Sequence, residues 1–334
     1  MTHDQHLVSA GWADYELLDS GDGMKLERFG QVILARPETQ SLWSKRRPEL
    51  WKDAHATFAT HEGKGAWKMS NAQVRPANFA GLTCAEGWEM SRGPIRFSAR
   101  LTNFKHVGVF PEQESNWEWL RARIGDIGCP TSYVGHPMSY ISSVLNLFGY
   151  TGIASLVAAH SGLRLAEAGS GHAEAGAFVT HVDASKTALD WAHENARLSG
   201  LPDDAVRWIL DDALTFARRE ARRGAKYDGI ILDPPAFGRG PKGEVWHIER
   251  DLPVLLEVLK ELLADTPGAF FLMSGYAAGY APRSLAQAVE SAFGEVNGES
   301  GELHIRESED DRPTSSRLRG TGVIPSGIYC RFVR

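Results

Sequence analysis

Two hydrophobic periods run along the chain. Up to about residue 115 the pattern is short and alternating: DYELLDSGDG, FGQVILARPE, HATFATHEGKG and GPIRFSARL are β-like runs punctuated by Gly and other turn residues. Alternation broken at this spacing predicts a small, mostly β unit. ESNWEWLRARIG then opens a helical pattern, and from about residue 140 strands and helices take turns. SVLNLFG (143–149), AFVTHVD (177–183), VRWIL (206–210), YDGIILD (227–233) and AFFLMS (269–274) are predicted strands. Between them lie predicted helices: IASLVAAHSG (153–162), a segment capped by Ser185 and stopped by Gly200 with Leu189, Ala192 and Ala196 on one stripe, then ALTFARREARRG, DLPVLLEVLKELLAD and RSLAQAVESAFG. ELHIRES and GIYCRFVR close the chain as two more strands. YDGIILD is nearly all apolar before its acid, as befits a strand covered on both faces. Such alternation predicts a doubly wound α/β sheet. The organisation expected is a mostly β domain over 1–115 and an α/β domain over 116–334.

Composition adds a few exclusions. The chain has 334 residues, 43% hydrophobic and 23% charged, enough to bury a core without metal or disulfide staples. Thirty-six Lys+Arg against 42 Asp+Glu give a net charge of −6, so bulk attraction cannot hold a nucleic acid. Local clusters such as Lys45-Arg46-Arg47, or Arg218-Arg219 with Arg222-Arg223, could still grip a phosphate backbone; for the second, a solvated helix face is the simpler account. Three scattered cysteines, Cys84, Cys129 and Cys330, argue against a disulfide framework and fit a reducing cytosol. The N-terminus has no apolar stretch of a signal peptide, and no run of 18 apolar residues exists, so a cytoplasmic protein with no membrane span is expected. The twelve histidines show no H-x-x-x-H spacing, which predicts no metal site; His136 and His247 are singletons that could reach a cleft. Seven of the ten tryptophans (Trp12, Trp43, Trp51, Trp67, Trp88, Trp117, Trp119) lie in the first 119 residues. They either fill a thin core or, one or two of them, offer a stacking surface for a base or ring. The acids Glu307, Glu309, Asp310 and Asp311 read as a solvated loop.

In a doubly wound sheet, ligands sit beyond the carboxyl ends of the strands. The residues there are Phe148-Gly149-Tyr150-Thr151-Gly152, Asp183, Asp211-Asp212 and Asp233-Pro234-Pro235-Ala236-Phe237. An acid after the second strand can accept both hydroxyls of a ribose, one after the third can accept from the exocyclic amine of adenine, and a Gly turn into a helix N-terminus allows close backbone approach. LAEAGSGHAEAG (165–176) imitates a nucleotide loop, but Glu174 stands at the third glycine position and the next strand follows at once, so 163–176 reads as a surface insertion. In Asp233-Pro234-Pro235 two prolines keep carbonyls out of any ladder. With the acid they offer acceptors to an amine, and Phe237 can stack on the ring that bears it.

These residues carry a resemblance. VLNLFGYTG, THVDASKTALDWAHENARLSGL, DDALTF and YDGIILDPPAFGRGPKGEVW are similar to class I S-adenosylmethionine-dependent methyltransferases, and more narrowly to the bacterial group around the large-subunit ribosomal RNA cytosine methyltransferases. The match runs over roughly residues 100–280. The resemblance implies a seven-stranded sheet ending in an antiparallel hairpin, with S-adenosylmethionine as cofactor. It implies that Asn146 and Phe148 to Gly152 line the methionine end, that Asp183 with Ala184 serves the ribose, and that Asp211, Asp212 and Ala213 meet the adenine. Asp233, with Pro234, Pro235 and Phe237, would stand at the transfer centre, and HVGVFPEQ (106–113) would help cover the cofactor. RNA, in ribosomal RNA processing, is the substrate implied; a homodimer is left open. Two departures matter. Cytosine carbon-5 transfer needs a thiolate to activate the ring, yet the stretch after the fifth strand reads Met273-Ser274-Gly275-Tyr276, without cysteine. Nor does the first domain match the small RNA-binding module of many relatives. A nitrogen acceptor on RNA is therefore expected. A protein or small-molecule nitrogen, a catalytically silent cofactor-binding module and a dinucleotide oxidoreductase are the alternatives.

Overall fold

The computed structural model describes residues 1–61, 64–70, 87–125, 141–161, 177–276, 279–308 and 322–334. The chain forms two compact units, one of Met1–Leu7, Ser115–Glu302 and Gly327–Arg334, the other of Val8–Glu114 with Leu303–Ser326. This differs from a single cut at residue 115 in two segments. Residues 1–7 belong with the α/β unit and 303–326 with the β unit, because strand pairing between chain-distant segments is invisible to a count along the sequence.

In the second unit, β2 (Tyr15–Gly21), β3 (Met24–Phe29), β4 (Val32–Pro37), β5 (Ala56–His61) and β6 (Lys64–Met69) form one sheet in that order, and β7 (Trp88–Arg92) pairs with β8 (Ile95–Ala99). The β2–β3 register pairs Gly21 with Met24. That leaves Asp22 (φ 54°) and Gly23 (φ 73°) as a two-residue turn of the kind Asp-Gly favours. Inside lies a charged cluster. Glu27 takes two hydrogen bonds of 2.7 Å from Arg36 and one of 2.9 Å from the Tyr15 hydroxyl. Three of the tryptophans are tied into the scaffold: Trp51 Nε1 donates to Asp19 (2.6 Å), Trp67 Nε1 to the Thr102 carbonyl (2.8 Å) and Trp43 Nε1 to the Ser20 carbonyl (3.1 Å). Glu307 departs from the solvated-loop expectation. It is buried and accepts from the Ser20 hydroxyl and the Gly322 N–H, with Arg46 at 3.7 Å. The other three acids of that run lie outside the described residues.

The first unit is built on an eight-stranded sheet. In spatial order it runs β1 (Thr2–Ser9), β16 (Gly298–Arg306), β17 (Val323–Val333), β15 (Phe270–Gly275), β12 (Gly229–Leu232), β9 (Ser143–Leu147), β10 (Phe178–Asp183) and β11 (Val206–Leu210). Strands β11, β10, β9, β12 and β15 are parallel neighbours, and β17 runs antiparallel to β15. The seven expected strands are all present. The eighth, β1, is an edge strand of sequence THDQHLVS with half of its residues exposed, so backbone pairing makes it and no hydrophobic pattern announces it. Helices α1 (Glu114–Gly125), α2 (Ile153–Ser161), α3 (Lys186–Leu198), α4 (Ala213–Arg222), α5 (Ile248–Leu262) and α6 (Pro282–Phe293) follow the alternation. The expected cap of α3 is present, Ser185 Oγ accepting from the Ala188 N–H. Apolar stripes such as Leu252, Leu255, Leu256, Leu259 and Leu262 of α5 join the fully buried β12 and β15 in one core. A short hairpin, β13 (Phe237–Arg239) and β14 (Val245–His247), stands between β12 and α5 and went unseen in the sequence, where it is three residues a side.

Candidate active site

Register brings the strand ends level. Leu147 of β9 pairs with Val182 of β10 and with Leu232 of β12, and Asp183 pairs with Leu210 of β11. Three chain turns therefore leave the sheet side by side at one edge: 148–152, 183–185 and 233–237, with 211–213 beside the second.

The turn from β9 into α2 is strained. Phe148 (φ 58°), Tyr150 (φ 50°) and Gly152 (φ 86°) are in the left-handed region, which costs a non-glycine residue about 1–3 kcal/mol and marks functional sites more often than scaffold. Hydrogen bonds hold it: Gly149 N–H to the Val182 carbonyl (3.1 Å), Tyr150 N–H to Asp183 Oδ2 (2.8 Å) and Gly152 N–H to the Gly149 carbonyl (3.0 Å). Asn195 Nδ2 donates to the Thr151 carbonyl at 2.9 Å. The Phe148 ring lies 4.9 Å from Trp246, and the Tyr150 ring 6.1 Å from Trp191. Burial, aided by Asp183, pushes the Tyr150 hydroxyl up to about 12, so it stays protonated. Asn146, expected at the ligand, is buried short of the strand end, and its amide donates to Ser155 Oγ (2.8 Å). That bond ties the end of β9 to α2.

Asp183 accepts from Ser185 N–H through Oδ1 and from Tyr150 N–H through Oδ2, both at 2.8 Å. Burial raises its pKa while those backbone bonds pull it down. Two oxygens fixed in this way still carry further lone pairs, suited to a pair of vicinal hydroxyls. Ala184 follows it, half-buried. The two acids after β11 have separate tasks. Asp211 is buried and ion-paired with Arg219 at 2.5 Å; Asp212 caps α4, its Oδ1 accepting from Thr215 N–H (2.8 Å), with Ala213 buried as the first helical residue. Of the pair, Asp211 is committed to an arginine, which leaves Asp212 the better partner for an amine.

At the end of β12 the Asp233 N–H approaches the Leu147 carbonyl at 3.4 Å, which sets this turn against the strained one. Pro234 is buried and Pro235 exposed. The Pro235 carbonyl, expected as an acceptor for substrate, is taken by Trp246 Nε1 at 2.7 Å. The acceptors suited to a substrate N–H are thus the Asp233 carboxylate and the Pro234 carbonyl. Phe237 is 51% exposed, its ring 5.0 Å from His247. An exposed ring beside two acceptors can stack on a planar group that carries an amine.

Sequence reasoning missed the supports: Trp246 on the unforeseen hairpin, and His181, Ser155 and Trp191 beneath the turns. Cys330 sits in mid-sheet opposite Met273, buried, its thiol pushed up to about 12 by that burial. It is no nucleophile. Cys84, Cys129, His136 and the insertion 163–176 lie outside the described residues. His247 is exposed at the start of α5. In the second unit Lys45 covers the Trp51 ring at 4.0 Å and Arg47 donates to the Leu18 carbonyl, while Arg223, just past the end of α4, pairs with Glu220 at 2.9 Å. No described helix is long and apolar enough to cross a membrane.

No protein-family model matches the chain. A solved S-adenosylmethionine-dependent methyltransferase from Agrobacterium tumefaciens is 37% identical, with a TM-score of 0.80 over 99% of this chain and 95% of that one. A methyltransferase structure from Streptococcus mutans, 16% identical with a TM-score of 0.61 over 96% of this chain and 75% of that one, shares the fold. The chain is also similar to "Ribosomal RNA large subunit methyltransferase K/L" of Syntrophotalea carbinolica, 32% identical over 190 residues, and to its namesake in Stutzerimonas stutzeri, 31% over 189. Those matches take in 57% and 56% of this chain but span only 22% of each relative's length.

Proposed function

The chain belongs to the S-adenosylmethionine-dependent methyltransferases, and from that premise we propose that it methylates a nitrogen of RNA, ribosomal RNA being the substrate class. Membership retires the dinucleotide-oxidoreductase alternative. When bound, the cofactor supplies a methyl group made electrophilic by a sulfonium. The glycine turn, the level strand ends and the carboxylate at Asp183 fit its amino-acid and ribose parts, and Asp212 its adenine.

The observation that carries the nitrogen reading is the Asp233 turn. Its carboxylate and the Pro234 carbonyl are acceptors that can take the hydrogens of an amine and hold its lone pair toward the neighbouring turn at 148–152. Phe237 stacks on the ring that carries the amine. Alignment of this kind needs no covalent intermediate on the protein. Carbon-5 chemistry would need a thiolate, and the carboxyl end of β15 reads Ser274, Gly275 and then Tyr276, without a cysteine. The RNA reading leans on the names of the curated relatives, with the exposed Phe237 as a surface for a base.

The test is incubation of purified protein with methyl-labelled S-adenosylmethionine and separated RNA, protein and metabolite fractions, followed by nucleoside analysis of any labelled RNA. Label on a nitrogen of an RNA base is expected, lost in Asp233→Ala while cofactor binding persists. Label as 5-methylcytosine refutes the nitrogen acceptor. Label confined to protein or metabolites refutes the RNA substrate.

A further inference from the structure

Three residues of the 148–152 turn have left-handed torsions, and Gly149 is not among them. Its backbone would admit any residue, so the missing side chain there has another cause. A Cβ on Gly149 would fall 2.5 Å from His181 Nδ1 and 2.9 Å from Nε2, closer than real Cβ atoms approach a ring. Gly149 is a glycine because His181 lies directly beneath it.

His181 is an odd choice for that place. It is fully buried on β10, and its Nε2 has no hydrogen-bond partner among the described residues. An unsatisfied buried nitrogen costs about 1–3 kcal/mol, which an aliphatic side chain would avoid. What the imidazole gains is orientation. Asn146 Nδ2 donates to Ser155 Oγ (2.8 Å), and Ser155 Oγ lies 2.9 Å from His181 Nδ1. On the other side the ring meets Trp208 at 4.9 Å. The ring is held by a polar chain along one edge and an aromatic along another, so it is a rigid plate where a leucine would rotate.

Resting on the reading that 148–152 holds the cofactor, we propose that His181 is a positioning residue: a fixed imidazole floor that sets the height and torsions of the Phe148–Gly152 turn. Asn146 donates to the Ser155 oxygen, and Ser155 Oγ in turn shares a hydrogen bond with His181 Nδ1, so the chain Asn146–Ser155–His181 fixes one edge of the ring. The pairing of residue 149 with residue 181 is then reciprocal: a ring at one position requires no side chain at the other. Gly152 makes a different demand, since its φ of 86° requires glycine whatever lies beneath.

A double-mutant cycle separates these demands. S-adenosylmethionine dissociation constants are measured by calorimetry for the full chain, wild type and Gly149→Ala, His181→Ala, the pair together, Gly152→Ala, and Gly152→Ala with His181→Ala. Thermal midpoints are recorded in parallel. Gly149→Ala is expected to weaken binding at least tenfold and His181→Ala several-fold. The pair should bind at least tenfold tighter than Gly149→Ala alone, because the new methyl enters the volume the ring leaves. Gly152→Ala should gain nothing from His181→Ala. If His181→Ala does not fold, His181→Asn takes its place, keeping an acceptor for Ser155 while vacating most of the ring. A purely structural role would move the thermal midpoint and leave the dissociation constant of the folded protein alone. His181→Ala binding within twofold of wild type, or a double variant as weak as the two singles multiplied, overturns the proposal. If Gly149→Ala, Gly152→Ala and Asp183→Ala all bind within twofold of wild type, the cofactor reading of the turn fails and takes the proposal with it.

Discussion

Asp183→Ala is the sharpest test of the proposed cofactor site, because on that reading one carboxylate does two jobs. It holds the Tyr150 and Ser185 N–H groups at 2.8 Å each, and its remaining lone pairs face the edge where a ribose would lie. A hydrogen bond to a charged acceptor contributes about 1.5–3 kcal/mol. The left-handed torsion of Tyr150 costs about 1–3 kcal/mol. The two are the same size, so without the carboxylate nothing offsets the cost of the left-handed torsion at Tyr150. A turn that must be reordered by the ligand lowers the apparent affinity by the fraction of protein already competent. About 2 kcal/mol of reordering is a factor of about 30 in affinity. Loss of one charge-assisted bond to a ribose hydroxyl adds about another 1.5–3 kcal/mol, which brings the expected loss to about 10³-fold. Calorimetric titration of S-adenosylmethionine and S-adenosylhomocysteine into wild type and variant measures it, with far-ultraviolet dichroism as the check on folding. Asp183→Asn, which keeps one acceptor oxygen, should fall between the two. A folded Asp183→Ala protein that binds both ligands within twofold of wild type refutes the assignment of this edge to the cofactor.

Other perturbations address the transfer turn and the scaffold. Trp246→Phe removes the donor to the Pro235 carbonyl while keeping a ring against Phe148; turnover should fall several-fold with cofactor affinity little changed, and equal losses in both would separate the hairpin from acceptor alignment. Glu27→Gln strands the buried Arg36 and should cost about 3–5 kcal/mol in urea unfolding. Arg36 and Lys25, against the opposing effect of burial, hold the Glu27 carboxyl at about 2, below its ordinary 4.5. Its stabilisation is therefore complete above about pH 4.5 and lost as the pH falls toward 2; urea midpoints of wild type and variant should converge over that window, and a constant gap would contradict the ion pair. Cys330 should resist iodoacetamide in the native protein, as peptide mapping would show, and Cys330→Ala should retain methyl transfer; modification of Cys330 without unfolding would contradict its burial.

Much of the fold was legible because its signals are local. The period of two in Asp14–Gly23 and the apolar run of β12 announce strands, and Ser185 announces the start of α3. Once strands and helices alternate, the edge proposed to carry the chemistry follows from topology, so Asp183, Asp212 and Asp233 could be placed from their positions after strands. What the sequence could not decide are matters of long-range register and partner choice. Polar β1 becomes a strand only because β16 offers an edge. Glu307 looks solvated beside three other acids, yet Ser20, nearly 300 residues earlier, buries it. Asp211 and Asp212 are equivalent on paper, and an arginine one helical face away takes the first. The two prolines after Asp233 look alike until Trp246 claims one carbonyl. Gly149 reads as one more flexible glycine until His181 is found under it. Local propensity and period fix which elements form and where their ends fall. Which side chain meets which across those ends is set by packing between distant segments, and only the tertiary structure decides it.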